Sequence, residues 1–106
     1  MSRGEELRLG DIAQAIAAIR SHIAEGEFDR KTSDAVLYNL VVIGEAAAQL
    51  ADDTRTRAPE IPWTRVVALR NLIAHEYFRV DLEVIRSILA EQLDQLDEAV
   101  GQLLAD

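Results

Sequence analysis

At 106 residues the chain has room for one domain with a real core, taken here as residues 1–106, and not for two. Its net charge of −8 argues against a protein that coats nucleic acid generally, and the absence of cysteine excludes both a disulfide framework and a thiolate metal site. The N-terminal MSRGEELRLGDI has no apolar signal core and no apolar run reaches transmembrane length, so a soluble, cytoplasmic protein without membrane contact is expected.

Apolar residues make up 49% of the chain and aromatics only 5%, a mix of Ala, Leu, Ile and Val suited to close-packed helices. Leu9, Ile12, Ile16, Ile19 and Ile23 repeat at helical spacing and predict an amphipathic helix over about residues 5–25, ended by Gly26. Thr32, Ser33 and Asp34 are each suited to capping a second helix that runs to about Leu50. That helix is apolar nearly all round (Val36, Leu37, Leu40, Val41, Val42, Ile43, Ala46, Ala47, Leu50) and so must be central or part of an oligomer contact.

Asp52 to Ile61 reads as the one long loop, and Pro62 falls at the first position of a third helix carrying Trp63, Val66, Val67, Leu69, Leu72 and Ile73. This helix is expected to end near His75–Tyr77. Asp81 caps a fourth, with Leu82, Ile85, Leu89, Leu93, Leu96, Val100 and Leu103 at helical spacing. No alternating strand pattern occurs. The fold class is therefore all-α, an antiparallel up-and-down bundle of four main helices.

Residues 54–79 hold Arg55, Arg57, Arg65, Arg70 and Arg79 against Glu60 and Glu76, a local +3 on a remainder of −11. Such an island suits a site that handles a few phosphates, although a solvated clump of arginines would look the same. Within it, residues 70–77 read Arg-Asn-Leu-Ile-Ala-His-Glu-Tyr. At about 100° per residue, Asn71 and His75 share one helix face, and Arg70 and Tyr77 share a neighbouring one. The four polar side chains are expected to converge on one patch. A guanidinium grips a phosphate and an imidazole moves a proton, the least that metal-free phosphodiester chemistry needs.

Each of these residues has a plainer reading. Arg70 interrupts the apolar stripe of Trp63, Val66, Ala74 and Tyr77, and Glu45 is stranded in the apolar second helix, so the two can form a structural ion pair. Structure and function are compatible here, because a carboxylate can hold an arginine in place. His75 near a helix end can simply cap carbonyls, and Tyr77 can be an ordinary half-buried aromatic. His22, among acidic neighbours, reads as a surface residue. Two histidines without metal-ligand spacing give no metal signature, and no cofactor motif is present.

The spacing Arg-x4-His-x-Tyr at 70–77 resembles the signature of the HEPN superfamily, in particular its HepT-type toxins. Gly26-Glu27-Phe28, Asp34-Ala35-Val36, Asn39-Leu40, Ile43-Gly44-Glu45-Ala46, Pro59-Glu60-Ile61-Pro62-Trp63, Arg70-Asn71, His75 to Phe78 and Val80-Asp81 follow that family's order from about Leu7 to Leu96. The resemblance implies a HEPN-like homodimer, open to further assembly, whose two copies of Arg70 and His75 meet in a cleft and cleave RNA without metal. It also implies the toxin half of a type VII-like toxin–antitoxin pair. There a minimal nucleotidyltransferase antitoxin silences the toxin by adding AMP to the tyrosine matching Tyr77.

The residues make such chemistry reasonable. RNA carries its own nucleophile in the 2′-OH, an imidazole can take that proton, and Arg70 can brace the pentacoordinate phosphate. Asn71 can orient the imidazole or bind a phosphate oxygen, and Glu45 can support Arg70. A second His75 from the two-fold mate can protonate the leaving 5′-oxygen. The competing class is a helical module that cleaves nothing and regulates a nucleotidyltransferase partner.

Overall fold

The computed structural model describes residues 1–106 and is wholly helical apart from turns. Its elements are α1 (Arg3–Ala24), α2 (Arg30–Ala48), the short α3 (Asp52–Thr56), α4 (Trp63–Glu76), a 3₁₀ turn at Tyr77–Arg79 and α5 (Leu82–Ala105). The four long helices are those expected from the apolar spacing.

Leu9, Ile12, Ile16 and Ile19 form the buried stripe of α1, and the Ser2 hydroxyl caps its start by accepting the Glu5 N–H at 3.1 Å. Ile23, the last member of the predicted stripe, is 37% exposed and lies outside the buried core. Gly26 follows at φ 130°, a conformation that glycine adopts without steric cost. The cap of α2 is Asp29 and not Thr32, Ser33 or Asp34. Its carboxylate accepts the Thr32 N–H at 2.9 Å, and that bond holds the carboxyl below the usual range. Ser33 instead turns its hydroxyl to the Arg30 carbonyl and is buried.

α2 is the central helix, packed on α1 along one side and on α4 along the other. It is not covered all round: Val36, Leu37, Leu40, Ile43, Ala46 and Ala47 are buried, while Tyr38 is 67% exposed and Asp34, Glu45 and Ala48 face solvent. The predicted loop after it contains α3. That single turn depends on a residue remote in sequence, since Glu5 Oε1 accepts both the Ala51 N–H at 2.8 Å and the Thr54 hydroxyl at 2.5 Å. Ala58 and Ile61 then enter the core, and the indole of Trp63 donates to the Ala58 carbonyl at 3.0 Å. Pro62 is the residue before α4 rather than its first member.

Asp81 caps α5 through the Glu83 N–H at 2.9 Å, as its position suggested. α5 packs on α1, where Arg20 bridges Asp94 and Asp97. Between α4 and α5 the bundle opens into an apolar groove of about 160 Å³, lined by Leu40, Ile43, Val66, Leu69, Leu89 and Leu93 among others. No helix is long and apolar enough to cross a membrane.

Candidate active site

The site is built where α2 and α4 cross. Gly44 is buried on α2, and a Cβ placed there would lie 2.3 Å from Cβ of Arg70 and 3.3 Å from the Val66 carbonyl oxygen. The missing side chain therefore allows α4 to approach closely at its arginine. Arg70 leaves α4 toward α2, and its Nη1 donates to Glu45 Oε1 at 2.5 Å. Its Nε donates to the Asn71 side-chain oxygen at 3.0 Å. Of the five guanidinium N–H groups these two bonds occupy two, which leaves three for a ligand.

The ion pair is half in water. The Arg70 side chain is 21% exposed and that of Glu45 55%, so this is not the buried structural pair considered from sequence. A pair this open contributes little to folding but fixes where the guanidinium points. Asn71 is engaged through its oxygen, which holds Arg70, while its side-chain N–H₂ makes no hydrogen bond.

His75 sits in the last turn of α4, exposed and without a side-chain hydrogen bond. It lies on the Asn71 face, roughly 140° around the helix from Arg70. One copy thus brings Arg70, Asn71 and Glu45 together and leaves His75 on the outward face. Arg70, Asn71 and Glu45 are joined by hydrogen bonds, while neither His75 nor the Tyr77–Asp34 pair is hydrogen-bonded to them. Helix geometry sends residues 70 and 75 to different sides.

Tyr77 begins the 3₁₀ turn and points along the α2 side of the motif. Its hydroxyl donates to Asp34 Oδ1 at 2.7 Å, and that bond together with partial burial raises the phenol above its ordinary pKa. Phe78 meets the Tyr77 ring edge-on at 5.5 Å and is itself exposed. These residues, with Phe28, Arg30 and Ser33, line an open hollow of about 340 Å³. His22 lies half-buried in the last turn of α1, and no three His, Asp or Glu side chains gather to hold a metal.

Two residues that matter here were not singled out as site residues. Gly44 stood in the sequence between two helix-forming neighbours, and a glycine inside an apolar helix is the signal of a close approach. Asp34 was read as a cap, and nothing local ties it to a tyrosine 43 residues away. The arginine island does not form one patch. Arg57 pairs with Asp106, Arg79 lies 3.9 Å from Glu76 and Arg65 lines the apolar groove, while Arg55 pairs with Asp52 and lines a hollow with Asn71, to which Arg70 is bonded.

A family model described as ribonuclease HepT-like matches residues 11–103. A protein of Thermococcus cleftensis named "Probable ribonuclease HepT" is 36% identical over 101 residues, which cover 91% of this chain and 92% of that one. A protein of Methanocaldococcus jannaschii named "Putative RNase MJ0127" is 32% identical over 78 residues, covering 74% of this chain and 64% of the relative. No solved structure matches the chain.

Proposed function

Since the chain belongs to the ribonuclease HepT-like family, we propose that it is a metal-independent endoribonuclease whose centre is made from Arg70 and His75 of two copies. The observation that carries this reading is the guanidinium of Arg70, held by Glu45 and Asn71 with three donors free, five residues from an exposed imidazole. A phosphate of the RNA backbone takes the free donors. The neutral imidazole accepts the 2′-hydroxyl proton as the 2′-oxygen attacks phosphorus, and Arg70 stabilises the charge that builds on the equatorial oxygens. The bond to the 5′-oxygen breaks, and the second His75, protonated, supplies the proton that the leaving group needs. The products are a 2′,3′-cyclic phosphate and a free 5′-hydroxyl.

A homodimer through the exposed side of α4 supplies that second imidazole. Leu72 is 50% exposed there, beside the outward Asn71 and His75, an apolar contact waiting for a mate. Within the cytoplasm the enzyme acts as a toxin of a type VII-like pair. A small nucleotidyltransferase antitoxin silences it by esterifying Tyr77 with AMP, placing a negative phosphate and a nucleotide beside the RNA site. The exposed position of the Tyr77 hollow is compatible with access by such an enzyme.

The test is RNA cleavage by the purified protein in EDTA, with its Arg70→Ala, His75→Ala and His22→Ala variants. Loss of the imidazole at 75 should lower the rate by about 10²–10⁴, and loss of His22 should do little. A substrate with 2′-deoxy at the scissile nucleotide should be inert. Undiminished cleavage by His75→Ala would contradict this mechanism, and no cleavage by the wild type alongside binding to a nucleotidyltransferase would favour the non-catalytic module.

A further inference from the structure

Arg55, an arginine of the basic island outside the motif, shares a concavity with Asn71 of the motif. It lines an open hollow of about 370 Å³ together with Ala48, Thr64, Val67, Ala68 and Asn71. Thr64, Ala68, Asn71 and His75 are spaced 4, 3 and 4 residues apart, so they form a continuous stripe along the outward face of α4. The stripe runs roughly 16 Å from His75 to Thr64, long enough to take more than one nucleotide. All four of its members are exposed.

The chemistry of the hollow is that of a strand-holding surface. Arg55 offers a cation, Thr64 a hydroxyl and Asn71 an amide, while Ala48 and Ala68 end at a methyl and leave the concavity open. The Arg55 side chain is 30% exposed, and its partner Asp52, bonded at 2.8 Å, is 97% exposed. An exposed pair one helical turn apart is readily exchanged for a phosphate, which offers the guanidinium a bidentate partner. Asn71 joins this hollow to the catalytic arginine, because the same side chain that lines it accepts from Arg70 Nε.

We infer that the hollow between α2, α3 and α4 is a second phosphate subsite. In it Arg55 grips the RNA backbone at a nucleotide beyond the scissile one, aided by Thr64 and Asn71. The inference rests on the ribonuclease reading for the identity of the strand. It adds a residue that neither the motif nor the family match points to. Arg55 binds substrate and takes no part in proton transfer, so it acts on affinity and not on the chemical step.

The experiment measures binding of a fluorescent single-stranded 2′-O-methyl RNA oligonucleotide, which cannot be cleaved by 2′-OH attack, across a salt series. Wild-type binding should weaken with salt, and Arg55→Ala should weaken it further and make the slope of log K against log salt shallower by about 0.7, the loss of one phosphate contact. Arg55→Lys should restore the slope. In cleavage assays Arg55→Ala should raise KM for an oligonucleotide with kcat held, and leave a dinucleotide substrate unaffected because it does not reach the hollow. An unchanged slope, or an equal loss with the dinucleotide, overturns the subsite. So does a fall in sedimentation mass on Arg55→Ala, which would make the hollow a seat for the second copy. If the wild type binds the oligonucleotide through Arg55 yet cleaves no RNA, the subsite stands and the ribonuclease reading falls. If it cleaves and Arg55 is indifferent, the reverse holds.

Discussion

Gly44 and Arg70 occupy a single crossing point, where a Cβ at 44 would lie 2.3 Å from Cβ and 3.0 Å from Cγ of Arg70. These are atoms near the backbone that cannot swing aside as the tip of a side chain can. Gly44→Ala should therefore push α4 away from α2 at the arginine and stretch its bond to Glu45. The expected cost is about 1–3 kcal/mol in urea unfolding, typical of overpacking, with cleavage lost well beyond what the remaining folded fraction explains. A variant with wild-type stability and activity would show that the two helices have slack at this point.

Glu45→Gln separates holding from folding. The carboxylate is 55% exposed, so removing its charge should change stability by only about 0–1 kcal/mol. Its effect should fall on kcat, because a guanidinium with a weaker anchor meets the phosphate in the wrong orientation more often. Urea unfolding and steady-state cleavage on the same preparation make the comparison. A large stability loss with unchanged kcat would return Glu45 to a purely structural role.

The division of labour between copies can be read from a mixed dimer. His75 lies roughly 140° around α4 from its own Arg70, so in the proposed dimer an arginine and an imidazole acting on one phosphate come from different copies. A heterodimer of Arg70→Ala and His75→Ala chains, isolated by two tags after co-expression, retains one such pair but only one of the two imidazoles of the acid–base pair. It should cleave RNA more slowly than the wild type yet faster than either parent homodimer. Activity no greater than that of the parents would argue against a pair formed between copies.

Much of this arrangement was legible in the sequence wherever the signal was local or periodic. The stripes of α1 and α5 gave their helices, Asp81 gave a start, and two charges interrupting apolar faces suggested the pairing of Glu45 with Arg70. What was not legible depends on contacts between distant residues. α3 forms because Glu5 reaches Ala51 and Thr54 across the bundle, and no residue within the segment announces that. Asp29 outcompetes three neighbours able to cap because its carboxylate is the one three residues before an unpaired N–H, a one-turn shift that composition cannot resolve. α2 takes Arg70 through Glu45 and solvent takes the imidazole of His75, a difference set by the neighbouring helix and not by the motif's own spacing.

The raised phenol of Tyr77 gives a titration with a definite sign. The Asp34 carboxylate accepts the hydroxyl proton and partial burial disfavours the phenolate, so the neutral form is the one the fold prefers. The contribution of this bond to stability is full below the ordinary phenol value of 10.0 and is lost as pH rises through the higher folded value. In a Tyr38→Phe background, where Tyr77 is the sole phenol, phenolate absorbance should show a midpoint above 10.0. Asp34→Asn should bring that midpoint down. A midpoint indifferent to Asp34 would mean that the hydrogen bond does not persist in solution.

The regulatory role proposed for Tyr77 can be tested apart from its role in holding the α4 end to α2. Its hydroxyl lies at an open hollow with Phe28, Arg30 and Phe78, so a nucleotide esterified there has room without unfolding the turn. The ester would remove the proton that Asp34 accepts and put a phosphate beside a carboxylate, which favours swinging the modified side chain outward toward the RNA face. Silencing then needs a local displacement and no change of fold. Tyr77→Phe loses one hydrogen bond to Asp34 at a half-exposed position, a cost of about 0.5–1.5 kcal/mol, and should keep most of its cleavage activity because the phenol takes no part in proton transfer. Co-expressed with a cognate minimal nucleotidyltransferase, wild-type protein should gain AMP mass increments and stop inhibiting growth, while Tyr77→Phe should gain none and remain toxic. Tyr38 is the control, because at 67% exposure it is open to any enzyme that modifies tyrosines without selection. Increments that survive Tyr77→Phe and vanish in Tyr38→Phe would move the acceptor to the other tyrosine, and neutralisation of Tyr77→Phe without any increment would make the antitoxin a simple binding partner.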